Sequence, residues 1–288
     1  MSTILVTGAT GTVGLLLVQR LAAAGASVRA MVRNPKSASA SLPAGVEIVR
    51  GDMDDPASVA AALRGAELAA LITPADPALV DREQRFIAAA RSAGLRLLVK
   101  LSVINAHPAG SNPFARWHAR AELALVDSDI PFTIIQPNFY MQNLLTHART
   151  VCDQGVIYGC TGRGAASHVD AADIAEVMAS VLLAPPADNA GKVHIVTGPE
   201  ALTLEQIAEH LAAALDRPVR AVDVPDEQYR SMLTATGAPA WLADAVVDLQ
   251  RMARRGEASM VTDTVRRVGG KAPTTLDQWA KANASSFR

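Results

Sequence analysis

Short apolar runs alternate with segments of helical periodicity along the first half of the chain. Residues 4–6, 28–32, 46–49, 68–72, 95–101 and 132–136 are the predicted strands. The predicted helices are residues 14–24, a helix that Asp55 caps, residues 77–93, and a helix opened by Asn112 that runs to about Asp127. Apolar strands that alternate with helices are typical of a doubly wound α/β fold, with a parallel sheet covered on both faces.

The pattern loosens after about residue 138. A glycine-rich loop at residues 159–164 precedes a helix that Asp170 or Asp173 can cap, and residues 193–196 can add a seventh strand. Thr203 and Gln206 form a capping box for a helix that ends near Leu215, and the remainder is mostly helical. We therefore expect a sheet domain in residues 1–150, completed by part of 165–200, and a small, mostly helical C-terminal substrate cap in residues 151–288.

The strongest local motif is VTGATGTVG, in which Gly8, Gly11 and Gly14 follow the first strand and open the first helix. In this position the first glycine permits a tight turn, the second admits a pyrophosphate, and the third lets the helix approach the sheet. The phosphates are expected at the helix N-terminus. The motif predicts a Rossmann-type dinucleotide-binding domain. A glycine-rich turn without a ligand is the alternative.

The end of the second strand indicates which dinucleotide fits. Arg33 and Asn34 stand there, Lys36 is near, and no acidic residue precedes Glu47. NAD sites usually carry an acidic residue at this place, whereas a guanidinium suits the 2′-phosphate of NADP. The sequence favours NADP(H) over NAD(H), unless Arg33 is an ordinary solvated charge.

Further groove candidates follow the later strands, because ligands bind at the carboxyl ends of parallel strands. Asp52 and Met53 can meet the adenine, although Asp52 is equally suited to a turn. Thr73 and Pro74 end the fourth strand, and Ser102 ends the fifth, near the expected nicotinamide.

The candidate chemistry differs from that of the common reductases on such sheets. None of the three tyrosines, Tyr140, Tyr158 and Tyr229, is followed by lysine four residues later, so the YxxxK site is missing. Instead, His118 and Glu122 lie four residues apart on one helix face, where the carboxylate can orient the imidazole for proton or hydrogen-bond donation. A structural pair on the helix surface is the blander interpretation.

Aromatic residues are scarce but concentrated near this pair. Five of the eleven fall between positions 114 and 140: Phe114, Trp117, Phe132, Phe139 and Tyr140. This clustering suits a cleft that stacks a planar substrate or nicotinamide, although some of these rings must fill the helix–sheet contact. Tyr140 is a candidate for the cleft or for the core.

Composition and charge remove other function classes. A net charge of −1 provides no field for nucleic acid or an anionic membrane, and the histidines show no metal-ligand spacing. Two cysteines are too few for a disulfide scaffold, and the N-terminus has neither a basic signal region nor a membrane span. We expect a cytoplasmic monomer or homodimer that binds a small-molecule substrate.

The ordered series VTGATGTVG, MVRNP, RGDMDD, LITPADP, VKLSV, RWHARAE, IPFTIIQPNFYMQN, HVDAADIA and VTGPEALTLEQIAEHL resembles the NmrA-like branch of the atypical short-chain dehydrogenases/reductases. Within it, the chain is similar to bacterial NADPH-dependent quinone oxidoreductases and triphenylmethane-dye reductases. The resemblance implies that His118 faces nicotinamide and substrate and that Glu122 keeps its place in the pattern. The positions it implies for the cofactor are Gly8, Thr10, Gly11, Thr12, Val13, Gly14 and Arg33, with Pro137, Asn138, Phe139 and Tyr140 along the nicotinamide.

Two departures lie near the expected site: Lys100 stands where those relatives carry Tyr, and Gln136 where they carry Arg. The substrate is therefore not transferred from them. We expect NADPH-dependent hydride transfer to a small quinone-like or conjugated aromatic substrate, without metal or flavin. The alternative from the same family is an NADP(H)-sensing regulatory protein that performs no turnover.

Overall fold

The computed structural model describes residues 2–287 of the chain. Its strands are β1 (Thr3–Val6), β2 (Ser27–Val32), β3 (Glu47–Arg50), β4 (Leu68–Leu71), β5 (Leu97–Leu101), β6 (Phe132–Pro137), β7 (Val156–Gly159), β8 (Ala165–Ala166), β9 (Lys192–Val196), β10 (Leu202–Thr203) and β11 (Arg220–Asp223). Its α-helices are α1 (Thr12–Ala23), α2 (Pro35–Ala38), α3 (Pro56–Leu63), α4 (Leu79–Ala93), α5 (Pro113–Val126), α6 (Ala148–Gln154), α7 (Ala171–Leu183), α8 (Pro186–Asn189), α9 (Leu204–Leu215), α10 (Asp226–Ala235), α11 (Ala240–Arg254), α12 (Thr264–Arg267) and α13 (Leu276–Ala282). Short 3₁₀ helices cover Met141–His147 and Ala284–Phe287.

Local sequence signals account for most helix boundaries. The Asp55 side chain accepts hydrogen bonds from two N–H groups at the start of α3, and that of Asn112 accepts one from Phe114 at the start of α5. Gly94 ends α4 in the left-handed conformation, and Thr203 forms the expected capping box on α9. These helices begin and end within about two residues of their predicted limits.

The main sheet has seven strands in the order β3-β2-β1-β4-β5-β6-β9, and the ladders that join its first six strands are parallel. The strand order reverses between β1 and β4, so the connections from these two strands diverge. This divergence opens a crevice at their carboxyl ends, where doubly wound sheets bind ligands. The predicted fold class is confirmed.

Two compact units divide the chain, and each has an apolar core. The first unit comprises residues 2–137, 171–195 and 264–271, with a core of leucine, alanine and isoleucine around Phe86. The second comprises residues 138–170, 196–263 and 272–287, with one core around Trp279 and another around Tyr229. The second unit thus starts at Asn138, before the expected residue 151, and α7, most of β9 and α12 belong to the first unit.

Phe86 tests the core of the first unit. Its side chain is completely buried on α4. Phe86→Ala should lower the free energy of unfolding by about 3–5 kcal/mol, because the cavity cannot close without moving the sheet. Urea denaturation followed by circular dichroism measures the change. Leu123→Ala removes a half-exposed side chain from α5 and should change stability by less than about 0.5 kcal/mol; equal effects would contradict this core assignment.

Candidate functional site

The glycine loop at the end of β1 is shaped by two close backbone contacts. Gly8 has φ +58°, and its carbonyl accepts a hydrogen bond of 2.9 Å from the Gly11 N–H. A Cβ on Gly14 would lie 2.1 Å from the Gly8 carbonyl oxygen, so no residue larger than glycine fits at position 14. The sequence assigned Gly8 to the turn and Gly14 to close helix packing, and the geometry agrees with both roles.

The N-terminus of α1 offers free donors to an anion. Gly11 is the N-cap in extended conformation, and the first intrahelical bond joins the Leu15 N–H to its carbonyl. The N–H groups of Thr12, Val13 and Gly14 precede that bond and have no helical partner. The first turn carries no acidic side chain, and Thr10 and Thr12 are exposed. Val13 is buried, so only its backbone is available to a ligand.

Thr7 joins the two strands at the switch point. Its hydroxyl donates to the Ile72 carbonyl at 2.9 Å and accepts from the Ile72 N–H at 2.8 Å. This pair holds the ends of β1 and β4 together just before Gly8, and Thr73 and Pro74 leave the sheet at the same edge. Thr7 was not among the residues predicted from the sequence, although its position between β1 and the glycine loop indicated a place at this edge of the sheet.

Arg33 is exposed after β2 and makes no hydrogen bond or ion pair within residues 2–287. Its charge contributes to holding the pKa of Asp54 below the ordinary value, after the larger effect of the hydrogen bond from Arg82. Asn34 uses its side-chain oxygen to cap α2 by accepting from the Lys36 N–H at 3.1 Å. The guanidinium of Arg33 is therefore free for an anionic ligand.

Asp52 belongs to a turn. Its carboxylate accepts from the Asp54 N–H at 3.0 Å, and its own N–H donates to the Ser58 hydroxyl at 2.9 Å. This geometry matches the turn interpretation and leaves an adenine contact untested. Met53 packs against the core of the first unit.

A buried ion pair lies beneath the carboxyl edge of the sheet. The Lys100 Nζ on β5 is 2.7 Å from Glu83 Oε2 on α4, and neither side chain has solvent exposure. The same ammonium lies 3.0 Å from His118 Nδ1 on α5 and 3.3 Å from the Leu101 carbonyl oxygen. The ammonium of Lys100 thus has three acceptor atoms within 3.3 Å: it bonds to His118 and to the Leu101 carbonyl, and it forms a close ion pair with Glu83.

The hydrogen-bond partners of Glu122 do not include His118, the partner expected from the sequence. It accepts hydrogen bonds from the Ser102 hydroxyl and from Gln136 Nε2, the latter at 2.9 Å. Within residues 2–287 no hydrogen bond joins Glu122 to His118, so the expected orientation of the imidazole by this carboxylate is wrong. Lys100 has taken its place, because the imidazole Nδ1 faces β5 and the carboxylate faces the ends of β5 and β6.

Burial decides the protonation states in this cluster. Burial, and then the charge of Lys100, holds the pKa of His118 well below its ordinary value. His118 is therefore a neutral imidazole near pH 7. Burial raises the pKa of Glu83, while the charge and hydrogen bond of Lys100 oppose that shift.

The segment after β6 belongs to the second unit from Asn138 onward. Asn138 is buried and donates to the Ser167 hydroxyl at 2.7 Å and to the Ala258 carbonyl at 2.8 Å. Phe139 packs against the His168 ring at a centroid distance of 5.6 Å, and Tyr140 is half-buried, with its pKa raised by burial. Pro137 closes the first unit, where its carbonyl accepts from the Ile104 N–H at 2.9 Å.

Three further aromatic residues from the predicted cluster lie in two places. Phe132 packs against the core of the first unit, whereas Phe114 and Trp117 meet edge to face near the start of α5, with 5.8 Å between their ring centroids.

Burial lowers the pKa of both His147 and His168 to about 4, so they are neutral. Residues 2–287 contain no group of three or more metal-ligating side chains.

The fold and the glycine loop define a dinucleotide-binding protein of the Rossmann class. The chain belongs to the NmrA-like family, whose model matches residues 1–280.

Characterised relatives match the whole chain. It is 36% identical over 284 residues to an NAD(P)H azoreductase of Xenophilus azovorans, with 99% of each chain covered. The NADPH-dependent quinone oxidoreductase QOR2 of Escherichia coli, complexed with NADPH, superimposes with a TM-score of 0.89 at 28% identity, covering 97% of this chain and 99% of that one. The Citrobacter triphenylmethane reductase complexed with NADP(H) gives 0.88 at 25% identity, covering 98% and 99%.

No helix within residues 2–287 has the length and apolar character needed to cross a membrane.

Gly11 separates ligand approach from folding. Its φ of −84° suits alanine, and a Cβ would meet only the Gly8 carbonyl oxygen, at 3.3 Å. Gly11→Ala should therefore fold normally but lower NADPH affinity at least about tenfold, because the methyl group occupies the approach to the helix N-terminus. Fluorescence titration measures affinity. Ser92→Ala, at an exposed position near the end of α4, is the control, and undiminished binding by Gly11→Ala would contradict a pyrophosphate at this loop.

Proposed function

We propose that the protein is an NADPH-dependent reductase that acts on a small quinone-like or conjugated aromatic acceptor. The observation that carries this proposal is the setting of His118. One of its ring nitrogens is held by Lys100 at 3.0 Å, the other makes no hydrogen bond within residues 2–287, and the residue lies in the same unit as a glycine loop suited to a dinucleotide. The full-length similarity to an azoreductase and a quinone oxidoreductase supports the same class.

The residues present fit NADP(H). The glycine loop leaves a space that side chains would fill, α1 presents free N–H donors, and Arg33 is an exposed guanidinium without a partner within residues 2–287. When bound, NADPH supplies the hydride that reduces the acceptor. Among the chain's own groups, the loop is assigned to the pyrophosphate and Arg33 to the 2′-phosphate, in preference to the hydroxyl of NAD(H).

His118 is the proposed catalytic residue. Its Nε2 makes no hydrogen bond within residues 2–287. That atom is also not fully buried. Nε2 is therefore the ring nitrogen left for a ligand, since Nδ1 is occupied by Lys100, although the residue as a whole is only 4% exposed. We assign Ser102 and Glu122 to the wall of the site. Tyr140 remains a candidate from the sequence.

A dinucleotide sensor without turnover is the second candidate from the sequence. This chain is 18% identical to a solved NmrA structure, and that similarity concerns the fold alone. In the region expected to form the substrate cap, Leu233 and Val246 pack against the core of the second unit. The enzyme is favoured, since the relatives that match the chain over its full length are an azoreductase and a quinone oxidoreductase. Both cysteines are free, which suits the reducing cytoplasm where we place the protein.

The Arg33 assignment predicts cofactor selectivity. Arg33→Ser should weaken NADPH binding about tenfold to a hundredfold and leave NADH binding unchanged, since a charged hydrogen bond to the 2′-phosphate contributes about 1.5–3 kcal/mol. Isothermal titration with both cofactors measures this. Arg64→Ser, an exposed arginine at the end of α3, is the matched control. Equal wild-type affinity for NADH and NADPH would refute the assignment.

His118→Ala should reduce turnover on the order of a hundredfold, the loss found when one donor to a developing negative charge is removed. NADPH affinity should stay within about twofold of wild type, because the residue is assigned to the acceptor. Stopped-flow oxidation of NADPH by a panel of quinones and azo compounds measures both quantities.

His210→Ala, on α9 in the second unit, is the control and should turn over normally. If tight NADPH binding accompanies no reduction of any acceptor by the wild type, the sensor replaces the enzyme. Loss of cofactor affinity or of folding in His118→Ala would make His118 structural.

A further inference from the structure

We propose that Lys100, anchored by Glu83, is a positioning residue that fixes His118 as the neutral tautomer with its hydrogen on Nε2. The imidazole then presents an N–H donor, which favours acceptors that develop negative charge on oxygen or nitrogen. This inference rests on the proposed reductase function for its substrate class, whereas the tautomer itself is a property of the protein alone.

The N–H donors of Lys100 determine which nitrogen of His118 carries the hydrogen. An ammonium group carries three N–H donors and no acceptor, so a nitrogen 3.0 Å away must accept from it. His118 Nδ1 is that nitrogen, and an accepting Nδ1 carries no hydrogen. Because the imidazole is neutral, the hydrogen must be on Nε2.

Glu83 keeps the ammonium in place. With both side chains excluded from solvent, the contact of 2.7 Å between Nζ and Oε2 compensates two buried charges. The Leu101 carbonyl occupies the third donor. A Lys100 side chain held by these two partners also keeps its ammonium within 3.0 Å of His118 Nδ1. The other charged group near this pair, Glu122, is held by Ser102 and Gln136.

The chemistry of the acceptor follows from an N–H donor. Hydride addition to a quinone or an azo group leaves a negative charge on oxygen or nitrogen, which an N–H donor stabilises. Hydride addition to a cationic triarylmethane dye leaves a neutral product without such a charge. The positioned tautomer therefore accelerates the first two classes and not the third.

The direct test uses NMR of the cofactor-free protein labelled with ¹⁵N-histidine, with His118 assigned by comparison with His118→Gln. The wild type should show a pyridine-type Nδ1 and a pyrrole-type Nε2. Lys100→Met alone leaves Glu83 buried without a partner and is expected to fold poorly. The double variant Glu83→Gln/Lys100→Met removes both charges and should fold, with a shift of His118 toward the other tautomer. Hydrogen on Nδ1 in the wild type, or no shift in the double variant, would overturn the proposal.

The matched control is Asp173→Asn/Lys271→Met, which removes another ion pair of the first unit, with 2.5 Å between Lys271 Nζ and Asp173 Oδ1. It should leave the His118 signals unchanged. A change as large as that in the Glu83/Lys100 variant would mean that any lost ion pair disturbs His118, and would also overturn the proposal.

Kinetics provide the second readout. In the Glu83/Lys100 variant, kcat for a quinone should fall on the order of tenfold or more while the Kd of NADPH stays constant, a loss comparable to removing the group that orients a functional histidine. The rate with a cationic triarylmethane dye should be unaffected. Equal losses for both acceptors would indicate a purely structural ion pair. Absence of turnover in the wild type would refute the proposed function, and the NMR result would still decide the tautomer.

Discussion

A lysine ammonium without solvent exposure must find an acceptor for each of its protons, and this requirement organises the carboxyl edge of the first unit. Lys100 meets Glu83 on α4, His118 on α5 and the backbone of its own strand. Two helices and the central sheet are joined at one nitrogen atom. Removal of Glu83 or Lys100 alone leaves the other charge buried and uncompensated, at a typical cost of about 3–5 kcal/mol. The same contacts therefore stabilise the fold and orient the imidazole.

The dinucleotide site depends on backbone geometry rather than on charge. Gly8 turns with a positive φ, Gly14 admits the close approach of α1, and the Thr7–Ile72 hydrogen bonds hold β1 and β4 together at the switch point. All strands of a parallel ladder end at the same edge, so the carboxyl ends of β1 and β4 share an edge with those of β5 and β6. Parallel pairing alone places the glycine loop and the buried cluster at the same edge of the sheet.

The elements and the glycine loop could be predicted because their signals are local. Asp55, Gly94 and the Thr203 capping box act within one helical turn, and apolar strands need only their own periodicity. The Glu83–Lys100 contact spans 17 positions and could not be derived from spacing. Its signals were present: Lys100 interrupts an apolar strand, and Glu83 lies on the face of α4 that also carries Phe86. A charge on each of two buried surfaces requires a partner, but the sequence does not say which.

The same limitation explains the error at Glu122. Four-residue spacing places two side chains on one face of a helix, but it does not make them partners when the sheet below offers stronger ones. Glu122 faces two neutral hydrogen-bond donors, Ser102 and Gln136, whereas His118 faces the only ammonium of the cluster. A carboxylate beside the imidazole would favour the imidazolium, but an ammonium there favours the neutral ring. Of the two roles that the sequence allowed, proton donation and hydrogen-bond donation, the exchange of partner thus favours the second, and the proposed preference among acceptors follows from it.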